Sequence, residues 1–351
     1  MLCCSSFIEN WSQMFSPESQ ELFALCHSAQ ANQPESLARA RALLEAGADP
    51  KVGFDKDGFW QNAIYGAAGK AFHPALSQLL LAHGADPNDE ETPYHAPESY
   101  DPELLRVLLD SGSFQEESLA TMLLRKCDMH DQAGVETLLR HGANPNRPTR
   151  WQHTPFEQSL RRDNSLDILE VFLDHGASAT PLALQLASER GRGDFLEMLG
   201  LPPVSPAGEC ALGLKPSGPL ENMASLLAQF AGNDNRAGAE RLLEAGALVD
   251  ARYAGDGYFG IAPGSTALHV AAWRSRPALV ELLLSRGADA NALDGHGRTP
   301  LQLAVKACVD SYWMQRRTPE STRLLLQAGA DPRGIELPTG YREIDRLLQG
   351  P

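Results

Sequence analysis

Three short patterns in the 351-residue chain could carry chemistry. Gly255-Asp-Gly257-Tyr-Phe-Gly260 spells the G-x-G-x-x-G of a dinucleotide-phosphate loop, Arg192-Gly193-Asp194 spells an adhesion tripeptide, and Cys127 and His130 have a spacing at which two side chains can share a metal. A phosphate loop needs a hydrophobic strand before it and a helix N-terminus directly after it, so that backbone N–H groups and the helix dipole meet the pyrophosphate. Here a leucine-rich stretch closes at Gly246 and the next helix start is Thr266, so the glycines read as a finger loop. Arg192-Gly193-Asp194 falls at a tight turn between two helical stretches. Cys127 and His130 lack a second pair with suitable spacing, which a tetrahedral zinc site requires. No G-x-S-x-G elbow, P-loop or H-E-x-x-H is present. The chain is expected to have no catalytic residue, no metal and no cofactor, and not to be an enzyme.

Charge narrows the partner. Residues 1 to 200 carry 29 acids against 15 bases, and residues 201 to 351 carry 16 against 15, so nearly all of the net −15 lies in the first part. Between Asp86 and Glu117 ten acids face only Arg106. Such a stretch repels nucleic-acid phosphates and attracts cationic surfaces, so a protein with a basic segment is expected and nucleic acid is not. No run approaches the roughly 18 apolar residues of a membrane helix. The cysteines at 3, 4, 26, 127, 210 and 308 form no C-x-x-C pair, which fits a reducing compartment. Cys3 and Cys4 read as ordinary thiols, with S-acylation as the alternative. Met1 to Phe15 has no basic n-region and Glu9 interrupts it, so Sec export is not expected; a cytoplasmic monomer is, with a non-Sec route still open.

The elements that would position any site are repeated. Leu43-Leu44-Glu-Ala-Gly47-Ala-Asp-Pro, Leu80-Leu81-Ala-His-Gly84-Ala-Asp-Pro-Asn and Leu138-Leu139-Arg-His-Gly142-Ala-Asn-Pro-Asn are one phrase, which returns around Gly176, Gly246, Gly287 and Gly329 and, degenerate, at Gly112 and Gly200. The glycine follows a helical stretch and is expected to close it in the left-handed conformation. His83, His141 and His175 precede it, where they can bond the last helical carbonyls. The Asp/Asn-Pro-Asn that follows is turn chemistry. Upstream, Thr266-Ala-Leu-His269-Val-Ala-Ala272 and Thr299-Pro-Leu-Gln-Leu-Ala304 place a capping threonine before a helix with small residues for close packing.

These phrases resemble the ankyrin-repeat family, whose hallmarks are T-P-L-H-x-A-A and L-L-x-x-G-A-D. The resemblance covers about residues 17 to 333, with a mean spacing near the ~33-residue period of such arrays. It implies an all-α solenoid of stacked helix-turn-helix units with short β-hairpin loops. The expected organisation is an N-terminal segment 1–16, a stack of about six units over 17–200, a Pro-rich loop or hinge over 201–218, about three units over 219–333 and a capping helix over 334–351.

The family binds proteins through hairpin tips and the exposed end of the first helix, on a concave face. Those positions here are Phe59, Trp60, Lys70, Asp89, Glu90, Glu91, Arg150, Trp151, His153, Arg161, Trp273, Arg274, His296 and Arg298, joined by Tyr258 and Phe259 of the finger. Tryptophan and arginine among them are the residues most enriched at interface hot spots. Arg147, Arg150, Arg161 and Arg162 follow the acidic stretch, so the face is expected to change sign along its length. The implied function is a non-catalytic protein-interaction scaffold; the alternative is a secreted or injected effector, or a toxin-neutralising inhibitor, on the same repeats.

Overall fold

A computed structural model describes residues 14–349; Cys3, Cys4 and most of the 1–16 segment lie outside the described residues. The chain parts into two compact units, Met1–Ser178 and Ala179–Pro351. The described part of the first contains α1 (Pro17–Cys26), α2 (Ser36–Glu45), the hairpin of β1 (Gly53–Lys56) and β2 (Phe59–Asn62), α3 (Ala63–Tyr65, continued by a π-helical turn Gly66–Lys70) and α4 (Pro74–Ala82). It goes on with α5 (Glu91–His95), α6 (Pro102–Asp110), α7 (Glu116–Asp128), α8 (Gln132–Arg140), α9 (Pro155–Arg161) and α10 (Leu166–Asp174). The second contains α11 (Pro181–Glu189), α12 (Gly193–Leu199), α13 (Pro206–Ala211), α14 (Met223–Gly232), α15 (Arg236–Glu244), α16 (Ala267–Trp273), α17 (Pro277–Ser285), α18 (Pro300–Val309), α19 (Glu320–Gln327) and α20 (Arg342–Gln349). Within each unit first helices pack on first helices and second helices on second helices, as in α7 with α9 or α4 with α6.

All nine glycines of the recurring phrase have positive φ, from 61° at Gly200 to 100° at Gly246. The residue after the glycine explains the rest of the phrase. The amides of Ala48, Ala85, Ala143, Ala177, Ala247, Ala288 and Ala330 each donate to a carbonyl five residues back, at 2.9–3.0 Å. This is the six-to-one closure that satisfies an orphan helix carbonyl. The carbonyl belongs to Leu43, Leu80, Leu138, Phe172, Leu242, Leu283 or Leu325, all buried apolar residues that hold the helix end in the core. Gly112 and Gly200, which no alanine follows, bond only to the carbonyl three residues back. The histidines cap as the sequence suggests: Nδ1 of His83, His141 and His175 meets the carbonyl of Leu79, Thr137 and Val171 at 2.8–2.9 Å.

The turn residues divide their work. The first polar residue makes a local turn, as Asn144 Oδ1 does by accepting from Asn146 N. The second stitches one hairpin to the next. Asn146 Nδ2 donates to Gly176 O at 2.8 Å while its Oδ1 accepts from Ser178 N at 2.8 Å, and Asn291 does the same with Gly329 O and Asp331 N. One side chain thereby fixes the register between consecutive repeats.

The segment 201–218, expected as a Pro-rich loop or hinge, holds a short helix. It contains α13, with Pro206 in the first turn, where a missing N–H costs no bond, and Ser205 Oγ capping Gly208 N at 3.1 Å. α13 packs between its neighbours at backbone distance: a Cβ on Gly193 would stand 2.1 Å from Ala211 O, and one on Gly238 2.8 Å from Cys210 O. The compact units part instead at Ser178/Ala179, ahead of α11 and α12. At the other end α20 buries Ile344 against Val305 and Cys308.

Replacing Asn146 with alanine removes both inter-hairpin bonds and leaves two backbone groups to solvent. The expected loss is about 1–2 kcal/mol in urea unfolding, with Asn146→Asp, which keeps only the acceptor, in between.

Candidate protein-interaction surface

In the first unit the hairpin β1–β2 packs its base on the helices, with Phe54 edge-on to Phe23 at 5.4 Å, while Phe59 and Trp60 near its tip are 43% and 40% exposed. Trp60 forms a wall of a cleft of about 450 Å³ lined also by Lys51, Asp55, Asn62, Asp86, Asp89 and Glu90. Four carboxyl groups therefore face one ammonium. They are not equivalent: Asp89 is buried, accepts from Thr92 N at 2.6 Å and Thr92 Oγ1 at 2.9 Å, and burial pushes its pKa up to about 7. Asp89 is a helix cap first, and Glu91 beside it is also buried. Of the three acids read as partner contacts, Glu90 alone is exposed.

A continuous row of rings runs along the first helices from this cleft. Phe23 stacks on His27 at 4.0 Å, His27 meets Tyr65 at 5.7 Å, Tyr65 meets His95 at 5.4 Å, His95 meets Tyr94 at 4.9 Å and Tyr94 meets Trp151 at 5.7 Å. Cations lie on it: Lys70 is 4.7 Å from the Tyr65 centroid, Arg125 4.1 Å from Tyr94 and Arg150 4.6 Å from Trp151. Trp151 is 36% exposed. His153, half-buried, bridges Trp151 O and Gln158 Oε1, and Arg161 lies half-buried at the end of α9. Lys70, Arg150 and Trp151 are the members of this group that the sequence marks as contacts; Tyr65 and His95 share one place, three residues after Asn62 and Thr92, whereas Phe23, His27 and Trp151 come from a helix interior, a helix end and a hairpin, so no single repeat position reports the row.

His27 is held neutral. Burial, ahead of the nearby Lys70, lowers its pKa to about 4, while its ring nitrogens meet Asn62 O at 2.7 Å and Lys70 Nζ at 3.1 Å. The geometry assigns the proton to Nε2, leaving Nδ1 to accept from the ammonium. Burial also lowers the Lys70 pKa.

The expected change of sign along the face gives way to pairing across it. Arg150 bonds Glu90 at 2.6 Å, Arg147 bonds Glu116 at 2.7 Å and Glu117 at 3.2 Å, and Arg162 bonds Asp128 at 2.6 Å. Exposed pairs such as Arg150–Glu90 are worth about 0–1 kcal/mol, so an incoming charge can replace them at small loss.

The second unit treats the same residue types differently. Trp273 is 9% exposed, Arg274 2% and Phe259 6%. The finger read as an open contact loop folds down through the backbone bridges Tyr253–Ser265 and Asp256–Ile261, and Trp273 Nε1 donates to Phe259 O at 2.6 Å. Trp273, Arg274 and Phe259 are therefore buried rather than presented to a partner, and Tyr258 is the exposed member of the finger's pair. Arg298 is half-buried and bonds Asp294 at 2.8 Å, whereas His296 lies exposed at its hairpin tip. The patterns with chemical spelling are structural: Arg192 is buried in a two-bond pair with Asp194, and Cys127 bonds the carbonyls of Leu123 and Pro155. Among the described residues no group of three or more His, Cys, Asp or Glu could hold a metal ion, and no helix is long and apolar enough to cross a membrane.

Exposure sets two expectations. Trp60→Ala changes stability by less than about 0.5 kcal/mol, whereas Trp273→Ala costs about 3–5 kcal/mol, both read by denaturant unfolding. Because the His27 pKa is lower folded than unfolded, stability contributed by its neutral form is full above about 6.5 and declines as pH falls toward about 4. The wild-type chain should lose more stability between pH 7 and 4 than His27→Gln does; equal losses would show that His27 titrates normally.

Residues 242–304 match the family model described as ankyrin repeats (many copies). Over 86 residues, 24% of this chain, it is 36% identical to the ADP-ribosylation factor GTPase-activating protein AGD2 of Arabidopsis thaliana, and over 40 residues, 11% of this chain, 58% identical to the ARF GTPase-activating protein Git of Drosophila melanogaster. The matches span 10% and 6% of those proteins. Among solved structures, the ankyrin repeat domain of Bcl-3 aligns with 87% of this chain and 97% of that one, at 19% identity and a TM-score of 0.38. Residues 242–304 thus carry ankyrin repeats, and the same cap, helix and glycine turn recur along the rest of the described chain.

Proposed function

We propose that this chain is a non-catalytic interaction scaffold whose N-terminal unit binds a protein through a basic segment. Ankyrin repeats generally mediate protein–protein interaction, and their fold is typically non-catalytic. The activity in the names of the two curated relatives belongs to proteins of which this chain matches a tenth or less. The observation that carries the reading is the cleft beside Trp60, where an exposed indole and the carboxylates of Asp55, Asp86 and Glu90 stand together next to the ring row. An arginine or lysine entering there meets opposite charge and a ring face at once, and cation–π contact is strongest with tryptophan. Glu90 supplies the anchor and gives up only a weak exposed pair with Arg150. Trp151, 36% exposed, and the half-buried Tyr94 beside it supply apolar area.

The test is a set of dodecapeptides of matched length that are arginine-rich, neutral or acidic, titrated against the full chain and against Trp60→Ala and Glu90→Gln. Binding of the arginine-rich peptides, weakened about tenfold or more by each substitution, supports the reading. Binding that prefers acidic peptides, or is indifferent to both substitutions, overturns it.

A further inference from the structure

The corresponding face of the C-terminal unit is occupied by the chain itself. Ala228 of α14, Val270 and Trp273 of α16, and Leu303 and Ala307 of α18 form a patch covered by Tyr253, Phe259 and Ile261 of the finger. A repeat does not need a finger of this length. Between Gly287 and Thr299 the chain turns in 11 residues, whereas between Gly246 and Thr266 it uses 19. A second insertion, the stretch between Val309 and Glu320, arrives at the same place and sets Trp313 against Phe259, centroids 6.2 Å apart with planes 29° from parallel.

The contacts at the finger's tip are those by which a groove holds a peptide turn. A backbone carbonyl, Phe259 O, accepts from the Trp273 indole N–H at 2.6 Å. The Phe259 ring has the Arg274 guanidinium 4.5 Å and the Arg190 guanidinium 5.5 Å from its centroid. Asp256, three residues earlier, places its carboxylate 4.0 Å from Arg190. The surrounding wall is basic: Arg316 lies 4.7 Å from the Trp313 centroid and Lys306 5.9 Å from the Trp273 centroid. The backbone of the finger is closed on itself by Asp256 N to Ile261 O and Ile261 N to Asp256 O, both 2.9 Å, so its tip is presented to the slot as a preformed loop.

We propose that the C-terminal unit carries a binding slot for an acidic-aromatic peptide segment, Asp-x-x-Phe in form, whose resident occupant is the finger and which a partner of the same chemistry fills by displacing it. The carboxylate pairs with Arg190, the ring enters between Arg274 and Trp313, and the aromatic residue's carbonyl takes the Trp273 N–H. Because the finger is tethered beside the slot, its effective concentration is high, and the slot opens to a partner in proportion to the fraction of time the finger is away. This slot differs in place and in ligand charge from the cleft beside Trp60.

The test uses the full chain in two host forms, one with residues 254–261 deleted, which brings the turn to the length of its neighbour, and one carrying Phe259→Ala. The probe is a synthetic peptide of residues 252–262 with blocked ends, followed by calorimetry. The expected result is saturable binding to both hosts, about tenfold or more weaker to the wild-type chain, and weakened about tenfold or more when the peptide carries Phe259→Ala or Asp256→Asn. The proposal is overturned if both hosts fold and neither binds the peptide, if the wild-type chain binds it as well as the hosts do, or if neither host folds, since the finger is then part of the core.

Discussion

The bond from the amide after each helix-closing glycine to the carbonyl five residues back fixes the direction in which the chain leaves every regular second helix. A nine-residue helix such as α8 or α10 is too short to be stable alone in water and depends on packing its apolar face. The closure satisfies a carbonyl that would otherwise be orphaned at the edge of the core, and it aims the hairpin so that an asparagine such as Asn146 reaches the backbone of the next repeat. Helix end, turn and inter-repeat register are thus consequences of one local geometry that only a left-handed residue supplies at low cost.

With the framework fixed this way, side chains at the hairpin tips and first-helix ends are released from packing duty, and the two units use that freedom in opposite ways. In the N-terminal unit Phe59, Trp60 and Trp151 stay exposed, beside a ring row and a cleft in which carboxylates outnumber ammonium groups. In the C-terminal unit two insertions converge and the same kinds of residue, Trp273, Arg274 and Phe259, become the interior of a small cluster. Residue type alone does not separate the cases; the length of the neighbouring hairpin does.

That difference marks how far the sequence is legible. The nine glycines, the histidine caps and the capping threonines are local chemistry, and each is where its neighbours in sequence require it. Trp60 and Trp151 are exposed at the hairpin positions the repeat leaves open. Trp273 and Arg274 stand at the end of a first helix, another place the repeat leaves open, but are covered by a segment 14 residues away, and no short-range pattern reports that. Asp89 and Glu91 look like free surface charge in a string of acids, yet Asp89 is committed to Thr92 as a cap. The prolines of 201–218 count as breakers only inside a helix; at its first turn Pro206 starts one.

The chain keeps an open aromatic surface in its N-terminal unit and a self-filled one in its C-terminal unit. Hydroxyl-radical footprinting of the folded chain, read tryptophan by tryptophan, measures this directly. The account predicts rapid oxidation of Trp60 and Trp151 and strong protection of Trp273. Oxidation of Trp273 at the rate of Trp60, in a chain that remains folded, would contradict it.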